Sequence, residues 1–162
     1  MSEPGEALEA LLAEVPVASL AVGGAEGPMV SLVPWVRTRT PTRLWILVSE
    51  LSAHTAALRQ SPRAGVMVCE SYRAEDARSN HALTRVTLSV DARFVARDEA
   101  RASGAEALYR ERFPIAETLL GLGDFHWVEL TPVGLGGFVR GFGRAYRVSG
   151  ADLEEITHVL GK

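Results

Sequence analysis

The segment SELSAHTAALRQSP, residues 49–62, gathers the side chains best suited to holding an oxyanion. A helix that starts near Ser52 and is stopped by Pro62 presents unpaired backbone N–H groups and partial positive charge at its first turn, which is where phosphate groups dock. Ser52, His54 and Thr55 fall in that turn, and Ser49 closes the apolar run before it, so three hydroxyls and an imidazole surround one point. Hydroxyls can donate to phosphate oxygens. The same residues also make sense without a ligand, with Ser52 and Thr55 as helix caps and His54 as a surface side chain.

A phosphate dianion ordinarily recruits guanidinium groups. Arg37, Arg39 and Arg43 cluster around one turn, Arg59 and Arg63 flank the short helix, and no lysine precedes Lys162. Arg37 or Arg39 is the candidate phosphate clamp; the other reading is a set of solvated turn charges. Cys69 is the single cysteine, which rules out an internal disulfide or a cysteine-based zinc site within one chain. His54, His81 and His126 do not show metal-ligand spacing. GLGGFVRGFG, residues 134–143, lacks the strand–helix–strand context of a dinucleotide loop, so its glycines read as bends in strands. Neither a nucleophile elbow nor a phosphate-binding P-loop is present.

The elements that must position these residues are short and mostly extended. Leu8, Leu11, Leu12 and Val15 recur at helical spacing between Pro4 and Val15. The apolar runs at 17–22, 29–36 and 43–48 then read as strands of an antiparallel meander, punctuated by glycine and proline. A strand follows the Ser52–Pro62 helix at 64–70. Residues 71–82 read as a loop, and LTRVTLSVDARFV as a long strand. Residues 98–113 predict one amphipathic helix capped by Asp98, and PIAETLLGLG a further helix. Residues 124–148 hold two or three strands, and GADLEEITHVLGK predicts a short closing helix. Trp35, Trp45 and Trp127 stand at strand positions suited to core or interface packing. The pattern describes one domain over residues 1–162, mainly β with peripheral helices, six to eight antiparallel strands closing into a barrel.

SELSAHTAALRQSPRAGVMV resembles the strand–helix–strand segment of the FMN-binding split-barrel superfamily, related to pyridoxamine 5'-phosphate oxidase, and within it the haem-utilisation (HugZ-like) branch with its Ser-x-Leu-x-x-His-Thr-x-Asn-Leu pattern. GPMVSLVPWV, LTRVTLSVDARF, GDF and GFGRAY match further segments in the family's order. Ala57 stands where the branch usually has asparagine, and Val90 where it usually has glycine. The resemblance implies a split β-barrel and FMN bound at a homodimer interface. It places the cofactor against Ser31, Leu32, Val33, Ser49, Ser52, His54, Thr55 and Arg85, beside the Arg37 clamp. It also implies an alternative ligand, haem, with His158 as axial ligand supported by Asp124, or a flavin binder without enzymatic activity. The expected function is an FMN-dependent oxidoreductase acting on a small-molecule redox substrate, with no catalytic acid or base identifiable.

Composition excludes other classes. A net charge of −3 argues against a nucleic-acid footprint, and 47% hydrophobic with 23% charged residues is ordinary for a folded domain. The acidic N-terminus MSEPGEALEALLAEV lacks the basic start of a secretory signal, and no apolar run approaches the ~20 residues of a spanning helix. A cytoplasmic protein without membrane or metal is the expectation.

Overall fold

The computed structural model describes residues 1–72 and 80–161. Most of the expected 71–82 loop therefore lies outside the described residues. Helix α1 (Glu3–Glu14) is capped by Ser2, whose hydroxyl accepts from the Gly5 amide at 3.3 Å, and buries Leu8, Leu11 and Leu12. The helix Ala53–Gln60 (α2) follows the strand that carries Ser49.

Nine strands form one antiparallel sheet: β1 (Val17–Gly24), β2 (Gly27–Pro34), β3 (Val36–Thr38), β4 (Arg43–Ser49), β5 (Arg63–Cys69), β6 (Arg85–Val95), β7 (Phe125–Val139), β8 (Ala145–Ser149) and β9 (Glu155–His158). The main order is β2-β1-β5-β6-β7-β4-β3, with β8 on the second half of β7 and β9 on β8. Strands β2 and β3 stand at opposite ends of that order, yet only Trp35 separates them in the chain. The sheet must curl until its two edges meet, and no backbone ladder joins β2 to β3 or β4 across the seam. That is a split barrel.

The interior of the barrel is packed by Leu20, Val22, Val33, Trp35, Leu44, Ile46, Val66, Val68, Val86, Leu88, Val128 and Phe138, with α1 and Leu58 of α2 closing it. A second core lies on the outer side of β4 and β7, where Val36, Trp45, Leu47 and Trp127 meet Tyr109 and Ala116. Strand β4 is thus covered on both faces, which explains why RLWILVS is a continuous apolar run rather than an alternating one. All three tryptophans are buried, and Trp45 donates its indole N–H to Thr38 at 2.9 Å.

Two expected elements differ. The single helix over 98–113 is two, α3 (Arg97–Ala102) and α4 (Ala105–Arg112), because Gly104 takes a left-handed φ of 84°. The cap of α3 is Ala96 rather than Asp98. The third helix of this layer, α5 (Ala116–Gly121), forms as expected. The tail is not a helix. Gly150 (φ 93°) and Leu153 (φ 63°) reverse the chain within a few residues, and EITH pairs with β8 as β9. This edge strand and the three-residue β3 bring the total above six to eight. Among the described residues no helix is long and apolar enough to cross a membrane.

Candidate functional site

Strand β4 ends at Ser49 and the chain turns through Glu50 and Leu51 into α2, which sets Ser49, Ser52, His54 and Thr55 along one strand–turn–helix segment. Ser52 occupies the N-cap with extended backbone (φ −84°, ψ 132°), but its hydroxyl makes no capping bond and stays available. The Ser49 hydroxyl oxygen accepts from the Leu51 amide at 3.1 Å, and its proton is directed to Asp124 Oδ2 at 3.4 Å. Nδ1 of His54 lies 3.0 Å from Oγ of Ser31. Burial pushes the His54 imidazolium pKa down, favouring the neutral ring. Thr55 stands apart from this group: it is wholly buried, and its hydroxyl donates to the Ser49 carbonyl at 2.6 Å. It fastens the turn from behind.

The residues implied on β2 divide by the strand's two-residue period. Val33 points into the barrel core, leaving only its backbone for a ligand. Leu32 points outward and is 70% exposed, as is Val30 at 71%. In register, Leu32, Ser19, Met67 and Thr87 form one row across β2, β1, β5 and β6, and Val30, Ala21, Gly65 and Ser89 form the next. Arg85, two residues before Thr87, shares that outer face. Its guanidinium donates to the carbonyls of Leu83 at 2.9 Å and His81 at 3.3 Å and has no carboxylate partner among the described residues.

Arg37 does not serve this turn within the chain. It pairs with Leu44, five residues along β4 from Ser49, roughly 17 Å away. Its guanidinium is used up by Glu9 (3.0 Å to each oxygen), Thr42 and the Asp152 carbonyl. Arg39 also binds Glu9, at 2.6 Å. Within the chain both guanidinium groups brace the turn.

The two residues of the haem alternative lie at opposite ends of β7. Asp124 precedes Phe125, while His158 is reached through Tyr146 from Phe138. His158 ends the edge strand β9, is exposed, and rests its ring on Tyr146 with centroids 5.2 Å apart. Neither of its nitrogens has a hydrogen-bond partner among the described residues. Exposed Phe142, Val159 and Leu160 stand at the same end of the sheet.

One cluster beside Asp124 escaped the sequence reading. Glu50 donates its amide to the Asp124 carbonyl at 2.9 Å, and its carboxylate takes two bonds from Arg59 at 2.5 and 2.8 Å. The Arg59 bonds hold Glu50 well down, at about 2, with neighbouring His126 adding to the effect. His126 Nε2 comes within 2.6 Å of Glu50 Oε1, off the direction a hydrogen bond needs, and Arg59 lies over Phe94 at 4.8 Å. The spacing of Glu50 and Arg59 across a helix start was the available signal.

The family model described as pyridoxamine 5'-phosphate oxidase matches residues 4–137. The haem oxygenase HutZ of Vibrio cholerae is 34% identical over 142 residues, covering 86% of this chain and 78% of that protein. Its crystal structure, described as a haem storage protein, superposes with a TM-score of 0.73 at 29% identity, covering 85% of this chain and 95% of the other. ChuZ of Campylobacter jejuni superposes with a TM-score of 0.79 at 27% identity over 95% of this chain, and a haem-binding protein of Mycobacterium smegmatis with 0.76 at 25% identity over 92%. The chain spans only 61% and 59% of the length of these last two.

Proposed function

The chain belongs to the pyridoxamine 5'-phosphate oxidase family of split barrels, in its haem-utilisation branch, and from that membership we propose that it binds haem as a homodimer with His158 as axial ligand. The observation that carries the reading is the exposed His158 imidazole, unpartnered among the described residues and flanked by exposed Phe142, Val159 and Leu160. A neutral imidazole nitrogen is a strong iron ligand, and apolar neighbours suit the faces of a flat macrocycle.

Such histidine ligands are usually oriented by a carboxylate on the other ring nitrogen. Asp124 is the implied support, and within one chain it lies at the far end of β7. In the proposed homodimer a second copy would supply it. The outer face with Val30, Leu32 and Met67 is an apolar surface of the kind that pairs with another chain, and Arg85 on that face has guanidinium N–H groups to offer a carboxylate of the ligand. Bound haem would supply iron-centred oxygen chemistry; the chain's part is to hold, orient and shield it.

Haem added to the purified protein should give a Soret band and a dimer by light scattering, and His158→Ala should lose the axial-ligand signature with folding unchanged. An unaltered spectrum in that variant would remove the reading. Loss of the Soret band under ascorbate and air separates degradation of haem from its storage.

FMN remains a second reading, favoured by the free Ser52 hydroxyl, the Ser31–His54 pair and the unpaired amides at the start of α2. A flavin-dependent oxidoreductase of small substrates would follow. Tighter binding of FMN than riboflavin, weakened by His54→Ala, would support it. Absence of any melting-temperature rise with FMN would end it.

A further inference from the structure

A pocket of 390 Å³ opens between α1, β3 and α4, away from the Ser49 turn and from His158. Its apolar lining is Leu12, Ala13, Val36 and Leu108; its charged lining is Glu9, Arg37, Arg39, Glu111 and Arg112. The size and the mixture of apolar wall with few charges are those of small-molecule sites. Leu12 and Val36 are core residues that form a firm floor, whereas Leu108 is 40% exposed at the rim.

Arg37 and Arg39 are already answered: Glu9 is bound by both, and the Asp152 carboxylate also acts on Arg37. Arg112 has no carboxylate partner among the described residues. It donates to the carbonyls of Trp35 (3.3 Å) and Ala13 (3.0 Å) and lies over the Trp35 ring at 5.4 Å. A guanidinium has five N–H donors, so those bonds leave donors unused. Adjacent Glu111 cannot serve, since neighbouring residues on a helix do not face each other. Burial pushes the Arg112 pKa down, as expected of a half-buried cation without a compensating anion.

We propose that this pocket is a binding site for a small amphipathic carboxylate, with Arg112 pairing the carboxylate and Leu12, Val36 and Leu108 covering the apolar chain. The Arg112 guanidinium selects against cations, and the apolar floor selects against inorganic anions.

Calorimetric titration of the full chain with sodium octanoate tests it, with octanol and acetate as controls. Octanoate should saturate one site per chain and bind at least about tenfold tighter than either control, the advantage of a charge-assisted pair on an apolar wall. Arg112→Gln should weaken octanoate about tenfold or more and leave octanol unchanged. Because Arg112 also braces two carbonyls, Leu108→Glu at the exposed rim gives an independent arm: octanoate binding should vanish while melting temperature and haem titration stay as in the parent. No saturable octanoate binding, equal affinity for octanoate and octanol, or octanoate binding untouched by Leu108→Glu would each overturn the assignment.

Discussion

The Thr55 hydroxyl donates to the Ser49 carbonyl at 2.6 Å, so the end of β4 and the first turn of α2 are tied by a buried bond. The Ser52 amide donates to the same oxygen at 3.1 Å, so the carbonyl keeps one donor if the hydroxyl is removed. Thr55→Val should therefore cost about 1 kcal/mol, read by urea denaturation. It should leave any preference for FMN over riboflavin unchanged. A changed preference at constant stability would mean that the hydroxyl faces ligand instead.

Glu106 is a buried acid among Arg97, Arg101 and Arg110. Burial works to raise its pKa, but Arg97 first, with Arg101 and Arg110, outweighs burial and holds the carboxyl below the ordinary value. A depressed folded-state pKa stabilises fully above the unfolded value, about 4.3, and the benefit is lost as pH falls through the folded value. Glu106→Gln should thus destabilise by about 2 kcal/mol at neutral pH, with the difference from the parent shrinking below pH ~4. A gap that stays constant with pH would show that the ion pairs contribute nothing.

Two glycines should differ in kind. At Gly104 a Cβ meets nothing within 4 Å, so Gly104→Ala costs only the left-handed backbone, about 1 kcal/mol. At Gly136 a Cβ would stand 2.6 Å from Leu88 Cδ2 and 3.0 Å from the Thr87 carbonyl, next to the register shift between Thr87 and Ser89. Gly136→Ala should cost about 2 to 3 kcal/mol through forced displacement of β6. Thermal denaturation of the two variants ranks them; the reverse order would refute the steric account.

Leu32→Glu places a charge on the exposed outer face that Leu32 shares with Val30 and Met67. If that face joins two chains, light scattering should report a monomer, and haem affinity should fall with it. A stable dimer that retains haem would move the interface elsewhere.

Local chemistry carried much of the sequence reading. The helical spacing of Leu8, Leu11, Leu12 and Val15 announced α1, the alternation in LTRVTLSVDARFV announced β6, and the segment from Ser49 to Pro62 announced the strand–turn–helix that carries Ser49, Ser52 and His54. Tertiary chemistry was not legible. Arg37 reads as a phosphate clamp or a solvated turn charge until Glu9, 28 residues earlier, is seen to claim it. The tail reads as helix because DLEEI has helical composition, yet two left-handed residues and the open edge of β8 make it a strand. Val33 and Leu32 are equally apolar in sequence, and only the register decides which one meets the core.

The single residue Trp35 between β2 and β3 sets an order of assembly. Strand β4, apolar on both faces, completes its pairing only with β7, whose partner residues Phe125–Leu130 lie some eighty positions later in the chain. A nascent chain emerging at several residues per second would hold β4 as a bare, sticky edge for many seconds before its neighbour is made. Such loop closure across about half of the chain is slow to nucleate. Synthesis of this barrel is therefore a period of exposure that ends only when its final third arrives, and chaperone dependence during translation should be greatest for variants that weaken α1 or α2, the early helices that close the barrel.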